Sequence, residues 1–415
     1  MKMRPFGRLL PAETARRRLL RAVVPVEATE TVGLADAVGR VVSEDHRAPF
    51  PVPGFSRATW DGYALRFRDT RDATSRSPAR LRLVGEVHAE DRLDRPLSRG
   101  EAVAIATGGA IPRGADAVII FEEVSVEGSE LLVPRRVRRG ERIADPGDDF
   151  AKGARLVRRG VELTPAALGA LAAIGRTEIE VFARPMVRVI PNGNELVAPG
   201  GSRGPGQIYE TNNVTLSAVI SAAGGIARAV PPVVDDAEAI ERAIREALSD
   251  SDLVLVTGGS SVGDHDYLPV IFPRLGRLLF HGIAVRPGKP TLAVATSSRL
   301  VIGMPGHPTS CLLNAYWLLL PVLRRLGHRS GPGWIDTTVT MAEPYDVPTA
   351  GLSTVVPLKV ARGTGTPTFR DSSAITSLSG ANAFALLPPG RSHLRRGARV
   401  SAHLLPFPIS AAAEP

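Results

Sequence analysis

The chain has 415 residues, of which 51 are Lys or Arg and 42 are Asp or Glu, and its formal net charge is +9. This length predicts two to four domains, no apolar run approaches the roughly 20 residues that span a bilayer, and a single cysteine excludes disulfides within the chain and cysteine metal clusters. The positive charge is spread along the chain without zinc-finger spacing or an aromatic-rich RNA-binding signature, so we expect a cytoplasmic protein with neither a nucleic-acid nor a membrane partner.

Two separated segments predict one helical domain. Residues 1–26 are basic, and Pro11, Glu13 and the Arg16–Arg18 run split their apolar positions, which favours an exposed helix at AETARRRLLRAVV over a signal peptide. A short strand pair should follow. Helical sequence returns at TPAALGALAAIG, where Thr164 is a suitable N-cap and Pro165 takes the first helical position. We therefore predict a discontinuous helical domain from residues 1–50 and 148–185.

The rest of the chain divides by its periodicity. Residues 51–147 consist of short β-branched runs broken by glycine and proline, which predicts a β-rich insert. In residues 186–328 short apolar strands alternate with helical segments, so we expect a three-layer α/β domain with a mostly parallel sheet. Residues 329–415 are strand-and-turn sequence and predict a C-terminal β domain. The fold class is thus multidomain α/β plus β.

Three loops of the α/β domain follow predicted strands: PNGNEL, TGGSSVGDHDY and PGHPTS. Loops at the carboxyl ends of the strands of an open α/β sheet crowd together, and ligands bind there. PGHPTS also precedes an apolar helix, whose positive start can hold an anion. Taken alone, it is better explained as a tight turn that ends a strand, because glycine and proline are common in such turns.

The middle loop carries the most chemistry. Gly258 and Gly259 let the backbone approach a ligand closely, and Ser260 and Ser261 offer hydroxyls to phosphate-like oxygens. The glycine spacing is not that of a dinucleotide fingerprint. RPGKPT is not a nucleoside-triphosphate P-loop either, because Pro290 stands at the Ser/Thr position.

Several carboxylates accompany these loops, namely Glu195, Asp235, Asp236, Asp264 and Asp266. Asp235 could simply cap the helix that follows it. Together, however, carboxylates beside an anion-binding loop suggest Mg²⁺, whose ligands would be these oxygens, substrate phosphates and water. Asp61, in ATWDGYAL, is either a turn residue or functional, and the motif alone decides nothing.

Two single residues stand out by composition. Only four of the 51 basic residues are lysines, so arginine has replaced lysine wherever it serves, and Lys289 in a Gly/Pro loop is a candidate functional residue. Cys311 lies within an apolar helical stretch, which favours a buried structural thiol over a nucleophile.

An ordered set of motifs covers nearly the whole chain: TWDGYALR, ATGGAIPRGADAVIIFEEV, PGDDFAKG, LTPAALGALAAIG, GQIYETNN, VTGGSSVGDHDY, RPGKP and GMPGHPTS. In this order the set resembles the molybdopterin molybdenumtransferase family, which includes the gephyrin E domain. The resemblance implies elongated homodimers of four-domain subunits that insert molybdate into adenylylated molybdopterin with Mg²⁺, releasing AMP and giving molybdenum cofactor. It also makes the molybdopterin adenylyltransferase a candidate partner.

The resemblance implies an active site between the α/β domain of one subunit and the β insert and neighbouring helical domain of the other. The matching catalytic positions are Asp61, Thr107, Asp149, Glu195, Asp235, Asp266 and Lys289, with Asp61, Asp235 and Asp266 as metal ligands. The matching substrate-binding positions are Gly258, Gly259, Ser260, Ser261, Arg286, Pro305, Gly306, His307, Pro308, Arg362 and Ser372.

The chain departs from the family pattern at four positions. Gly282 replaces a frequent basic residue, and Arg286 replaces the first lysine of KPGKP but keeps its charge. His307 replaces the asparagine of the usual PGNP, and Trp60 replaces the small residue or methionine that usually precedes DGYA. These departures bear on oxyanion capture.

Two rival functions follow from the same residues. A binding module or scaffold would keep the pterin-binding fold without turnover, but it would not need the acidic set. An enzyme specialised for tungstate would use the same site, and the sequence does not separate two oxyanions of nearly equal size and charge.

Overall fold

The structure, a computed structural model, describes residues 8–91, 93, 95–259, 266–347 and 351–407. Within them the chain forms a β-rich insert, a small region of paired strands, an α/β domain and a C-terminal β-barrel. In these ranges no helix combines the length and the apolar character that crossing a membrane requires.

The α/β domain is built on a six-stranded sheet with the spatial order Ile226–Ala229, Met186–Pro191, Leu253–Thr257, Leu300–Met304, Leu292–Ala295, Arg277–His281. The first four strands run parallel, and the last two are antiparallel to their neighbours. The parallel strands are nearly continuous apolar runs because both faces of the sheet are covered.

Helices cover the two faces of this sheet. In the strand Leu253–Thr257, Leu253 and Leu255 join the core on one face, and Val254 and Val256 join the core on the other. The helices of the first face are Asn212–Ala222, Pro308–Asn314 and Leu320–Leu326, and those of the second are Ala237–Asp250 and Leu268–Leu275. The domain therefore has three layers.

The apolar helix after PGHPTS is long and buried. It begins at Pro308, passes through a π-helical stretch at Ala315–Leu319 and ends at Leu326. Cys311 is fully buried within it, as predicted, and burial raises the pKa of its thiol well above the ordinary range. A structural role for this cysteine follows.

The C-terminal strands close into a five-stranded barrel, with the order Ser353–Ala361, Thr364–Pro367, Ile335–Met341, Arg399–Leu404, Ala383–Leu387 and back to the first. The strand Ile283–Arg286 pairs in parallel with Ser353–Ala361, and Leu10–Pro11 pairs with Ile283–Arg286. This sheet therefore extends beyond residues 329–415, because Ile283–Arg286 satisfies its backbone groups on the barrel rather than in the α/β sheet. Two further short elements, the helix Thr376–Ser379 and the pair Tyr345–Asp346 with His393–Leu394, lie beside the barrel.

The insert has a six-stranded sheet with the order Ala117–Ile120, Gly62–Leu65, Glu101–Ile105, Ala79–Val87, Glu130–Val133, Ser125–Glu127. Arg57–Ala58 and Ile143–Ala144 form a separate antiparallel pair at its base. Apolar residues fill both faces of the sheet.

The region between the insert and the α/β domain consists of paired strands. Thr29–Gly33 pairs with Glu178–Phe182, and His46–Arg47 pairs with Arg155–Val157. Of the helices expected for residues 1–50 and 148–185, only Pro165–Ala173 packs with these strands, and the Thr164 hydroxyl caps it by accepting a hydrogen bond from the Ala167 N–H at 3.2 Å.

The other expected helix, Ala12–Ala22, packs against the α/β domain through Ala15 and Leu19. Within residues 1–50 and 148–185 the two predicted helices are therefore accompanied by paired strands. The reason is that segments such as Glu178–Phe182 alternate buried and exposed side chains with the period of a strand.

Candidate functional site

A cleft of about 830 Å³ lies between the α/β domain and the barrel. Its α/β walls are Gly258 and Gly259, residues 286–290, and residues 305–307. Its barrel wall includes residues 369–372. The structure thus brings together nine of the predicted site residues, namely Gly258, Gly259, Asp266, Arg286, Lys289, Pro305, Gly306, His307 and Ser372.

The cleft lies where the strand order of the sheet reverses. Met186–Pro191 pairs on one side with the next strand of the chain, Ile226–Ala229, and on the other side with Leu253–Thr257. The connections after Met186–Pro191 and Leu253–Thr257 therefore leave in opposite directions and leave a crevice between them. Gly258 has φ +90°, and a Cβ at this position would stand 2.5 Å from the Asn192 carbonyl oxygen. Glycine is therefore required where the two loops meet.

Asp235 lies beside the glycine loop without lining the cleft. Its carboxylate accepts hydrogen bonds from Asn192 Nδ2 at 2.5 Å and from the Asn194 N–H at 3.2 Å. The cap of the following helix is Asp236, whose carboxylate accepts from the Ala239 N–H at 2.8 Å. The explanation of Asp235 as a helix cap is therefore wrong, and Asp235 is bound to the loop that flanks the crevice.

Other predicted site residues lie outside the cleft walls. Glu195 folds back over Gly193 in the same loop as Asn192, Pro308 is the first residue of its helix, and Arg362 occupies a turn of the barrel with φ +50°. Ser260 and Ser261 are outside the described residues.

One wall of the cleft is basic. Arg286 ends the strand Ile283–Arg286, and the Lys289 carbonyl accepts hydrogen bonds from the N–H groups of Ile283 at 3.0 Å and Thr291 at 2.9 Å. The loop is therefore a tight turn between two strands. The side chains of Arg286 and Lys289 are exposed at its tip, where they can attract an anion.

The PGHPTS loop joins the two halves of the cleft. His307 Nδ1 lies 3.3 Å from Ser372 Oγ, and the Thr309 N–H donates to the Ser372 carbonyl at 3.1 Å. On the other side, Asn212 Nδ2 donates to the Gly306 carbonyl at 2.8 Å. This loop, with its glycine and prolines, therefore connects the α/β domain to the barrel through hydrogen bonds.

The barrel contributes residues that sequence reasoning missed, among them Tyr345, Asp346, Arg370 and Asp371. Hydrogen bonds from the Ser373 hydroxyl at 2.5 Å and the Ser373 N–H at 2.8 Å lower the pKa of Asp371, to which His307 and Arg286 add smaller effects. The adjacent Ser372 was predicted, so the motif DSSAITS held the signal for Asp371 as well.

Three further predicted residues, Asp61, Thr107 and Asp149, lie in the insert or directly after it. Asp61 precedes the strand Gly62–Leu65, and its carboxylate accepts a hydrogen bond from the Thr107 N–H at 2.6 Å, which lowers its pKa. Gly62 is necessary because a Cβ there would collide with the Ile119 carbonyl. The Asp149 N–H donates to the Val52 carbonyl at 3.1 Å. None of the described residues that line the cleft belongs to the insert.

In the described part of the chain the carboxylates predicted to bind magnesium lie apart from one another. Across the described ranges there is no group of three or more His, Cys, Asp or Glu side chains that could hold a metal ion. Asp266 lines the cleft, Asp235 is bound to Asn192, and Asp61 lies on the insert. The described carboxylates of one chain therefore do not by themselves form a magnesium site.

A glycine-walled crevice opposite two cations suits a ligand with phosphate-like or other oxyanion groups. The fold and the cleft define a multidomain α/β protein with a cleft suited to an anionic ligand at the carboxyl edge of its sheet. Family models match the chain as the MoeA N-terminal region (domain I and II) at residues 10–175, a probable molybdopterin binding domain at 188–325 and the MoeA C-terminal region (domain IV) at 349–405.

Full-length relatives agree with these matches. The chain is 31% identical over 405 residues to a molybdopterin molybdenumtransferase of Bacillus subtilis (95% of this chain, 94% of the relative), and 27% identical over 396 residues to one of Staphylococcus epidermidis (94% of each). A solved molybdopterin biosynthesis MoeA protein from Pyrococcus horikosii superposes with a TM-score of 0.83 at 34% identity, covering 96% of this chain and 99% of that one. The chain belongs to the molybdopterin molybdenumtransferase family, and it is an enzyme of molybdenum cofactor biosynthesis.

Proposed function

We propose that this enzyme inserts molybdate into adenylylated molybdopterin and releases AMP, giving molybdenum cofactor. The observation that carries the proposal is the cleft itself, in which Gly258 and Gly259 face the basic loop of Arg286 and Lys289. The glycines leave room for a phosphate-bearing substrate close to the backbone, and the cations offset the charge of a small dianion.

The residues of the cleft divide between the two substrates. The backbone at Gly258, Gly259 and Gly306 binds the phosphate groups of adenylylated molybdopterin, whereas Arg286 and Lys289 bind molybdate. Arg286 presents a planar fork of donors and Lys289 a compact ammonium, so the pair can hold an oxyanion from two directions. His307 and Ser372, which lie within contact of each other at the barrel edge, add hydrogen bonds.

Release of AMP is a hydrolysis. A water oxygen bonds to the adenylyl phosphorus and loses a proton to solvent, the phosphoanhydride P–O bond breaks, and the electron pair leaves with the molybdopterin phosphate. Asp266 is a described carboxylate on the α/β wall of the cleft, and it positions this water. Asp235, fixed by Asn192, holds the neighbouring loop in place.

We propose further that the enzyme is a homodimer. Asp61, Thr107 and Asp149 have no place in the cleft of their own chain, and aromatic side chains in the same segment are exposed, with Trp60 60% and Phe50 45% accessible. A second copy that covers these aromatics would bring Asp61 to the partner cleft. A requirement for Mg²⁺ depends on this dimer, because only then do carboxylates of two chains meet the substrate phosphates.

The test is a mass balance on the purified protein. It is mixed with adenylylated molybdopterin and Mg²⁺, with molybdate, tungstate or neither, and AMP and the metal-loaded pterin are measured together. We expect AMP to appear in step with molybdenum cofactor. Tight pterin binding without AMP release would instead establish the scaffold alternative, and equal yields with tungstate would show an enzyme that does not select molybdate.

A further inference from the structure

We infer that Asn314 is a positioning residue that fixes the loop of residues 286–290 and so determines where Lys289 stands in the cleft. The inference rests on the proposed function, in which Lys289 binds the oxyanion. Asn314 lies in the buried helix behind the cleft and does not line it.

A buried hydrogen-bond network connects this side chain to the loop. Asn314, whose side chain is fully buried, donates from Nδ2 to the Gly288 carbonyl at 3.0 Å and to Thr291 Oγ1 at 2.8 Å. Thr291, also fully buried, donates its hydroxyl to the same Gly288 carbonyl at 2.8 Å. Lys289 thus lies in the chain between Gly288 and Thr291, the two residues that this network holds in place.

The orientation of the Asn314 amide is determined by a third partner. The indole N–H of Trp317 lies 2.8 Å from Asn314 Oδ1. An indole nitrogen can only donate, so the amide oxygen must face Trp317 and the amide nitrogen must face the loop. The Gly288 carbonyl therefore accepts from the Asn314 amide nitrogen, and reversal of the amide would leave buried polar groups unpaired.

The loop is fitted to this side chain. Gly288 has φ +107°, and a Cβ at this position would collide with the Asn314 carboxamide. The backbone of Gly288 thus rests directly on Asn314. Any larger residue at position 288 would lift the loop and move Lys289 with it.

One helix consequently holds two walls of the cleft. Its first residue, Pro308, follows His307 directly, and Asn314 comes six residues later, a rise of about 9 Å. The PGHPTS wall is attached by chain continuity, and the wall of residues 286–290 is attached through Asn314. The spacing of the anion-binding groups is therefore set by a rigid element.

The experiment uses the small number of lysines. Acylation of Lys289 by an amine-reactive reagent is measured by peptide mass, with the exposed Lys152 and Lys359 as internal references, while sodium molybdate is titrated. We expect molybdate to protect Lys289 in the wild type. Thr291→Val, nearly isosteric but without the hydroxyl, and Asn314→Leu should each need about tenfold more molybdate for half protection.

Two matched variants separate positioning from general loosening. Thr291→Ser keeps the hydroxyl and should behave as the wild type. Asn382→Leu removes a comparable pair of hydrogen bonds in the barrel, where Asn382 Oδ1 accepts from the Val360 N–H at 2.6 Å and Nδ2 donates to its carbonyl at 3.0 Å. It should lower the melting temperature without altering protection of Lys289.

The outcomes are distinguishable. If molybdate fails to protect Lys289 in the wild type, its proposed role in binding the oxyanion is refuted, and the inference falls with it. If protection is normal in the wild type and unchanged in folded Thr291→Val, the positioning role is overturned and the proposed function stands. The same shift in Asn382→Leu would also overturn it. Should Asn314→Leu fail to fold, Thr291→Val carries the test.

Discussion

Replacement of Lys289 by methionine isolates the charge in the basic wall. Methionine keeps an unbranched stem of similar length and removes the ammonium group. Lys289 is exposed at the tip of its loop, while the backbone beneath it is held by the Thr291 and Ile283 N–H groups. The change should therefore remove an interaction with the ligand and leave the loop in place.

The expected size of the effect follows from this exposure. A hydrogen bond to a charged group contributes about 1.5–3 kcal/mol, and solvent around an exposed side chain favours the lower end of that range. At about 1.4 kcal/mol for each factor of ten, the molybdate concentration for half-maximal turnover should rise about tenfold. Stability should change by less than about 0.5 kcal/mol, because an exposed loop side chain buries little apolar surface.

The assay is AMP release as a function of molybdate concentration at saturating adenylylated molybdopterin, with a separate titration of the pterin substrate. Lys359→Met is the matched control, because Lys359 is also exposed but lies on a barrel strand and does not line the cleft. An unchanged molybdate dependence in folded Lys289→Met would refute the reasoning. A tenfold effect in Lys359→Met would do the same.

Three further predictions test other parts of the molecule. If the dimer shares its sites, a mixture of Asp61→Asn and Asp266→Asn chains should regain about a quarter of wild-type AMP release, because half of the dimers are mixed and each has one intact site. No recovery after verified subunit exchange would show that each site belongs to one chain. Hydrogen bonds from Arg95, and then from the Ser98 N–H, lower the pKa of Glu101 from about 4.5 to about 2. Its contribution to stability is thus complete above pH 4.5 and is lost as the pH falls through about 2, and Glu101→Gln should flatten that part of a plot of melting temperature against pH. Thr164→Ala should lower the free energy of unfolding by about 1 kcal/mol in chemical denaturation without changing AMP release, and an unaltered free energy would show that the cap contributes nothing.

The sequence predicted those features that depend on a few adjacent residues. The three loops that follow strands, the buried Cys311 and the cap at Thr164 all came from local alternation of apolar, glycine and proline residues. Asp235 shows the limit of that approach. With two adjacent aspartates before a helix, either can cap it, and only the contact of Asp235 with Asn192 in a distant loop decides that Asp236 is the cap.

Pairing between distant segments explains further features that local sequence patterns did not show. Thr29–Gly33 finds its partner in Glu178–Phe182, with the whole insert between them, so neither segment shows its strand partner locally. The strand Ile283–Arg286 likewise joins the barrel through Ser353–Ala361. This second pairing matters for function, because it places Arg286 at the boundary of two domains, where no local pattern predicts a cleft wall.

Asn314 is a residue whose sequence context did indicate a distant contact. It interrupts an apolar helix between Leu313 and Ala315, both fully buried. A polar side chain at such a position must find hydrogen-bond partners, since an unpaired amide in the core costs about 1–3 kcal/mol. The sequence therefore implied that some loop or side chain meets residue 314, although it did not say which. In the fold that partner is the backbone beside Lys289, so a residue required by the core also determines the geometry of the cleft.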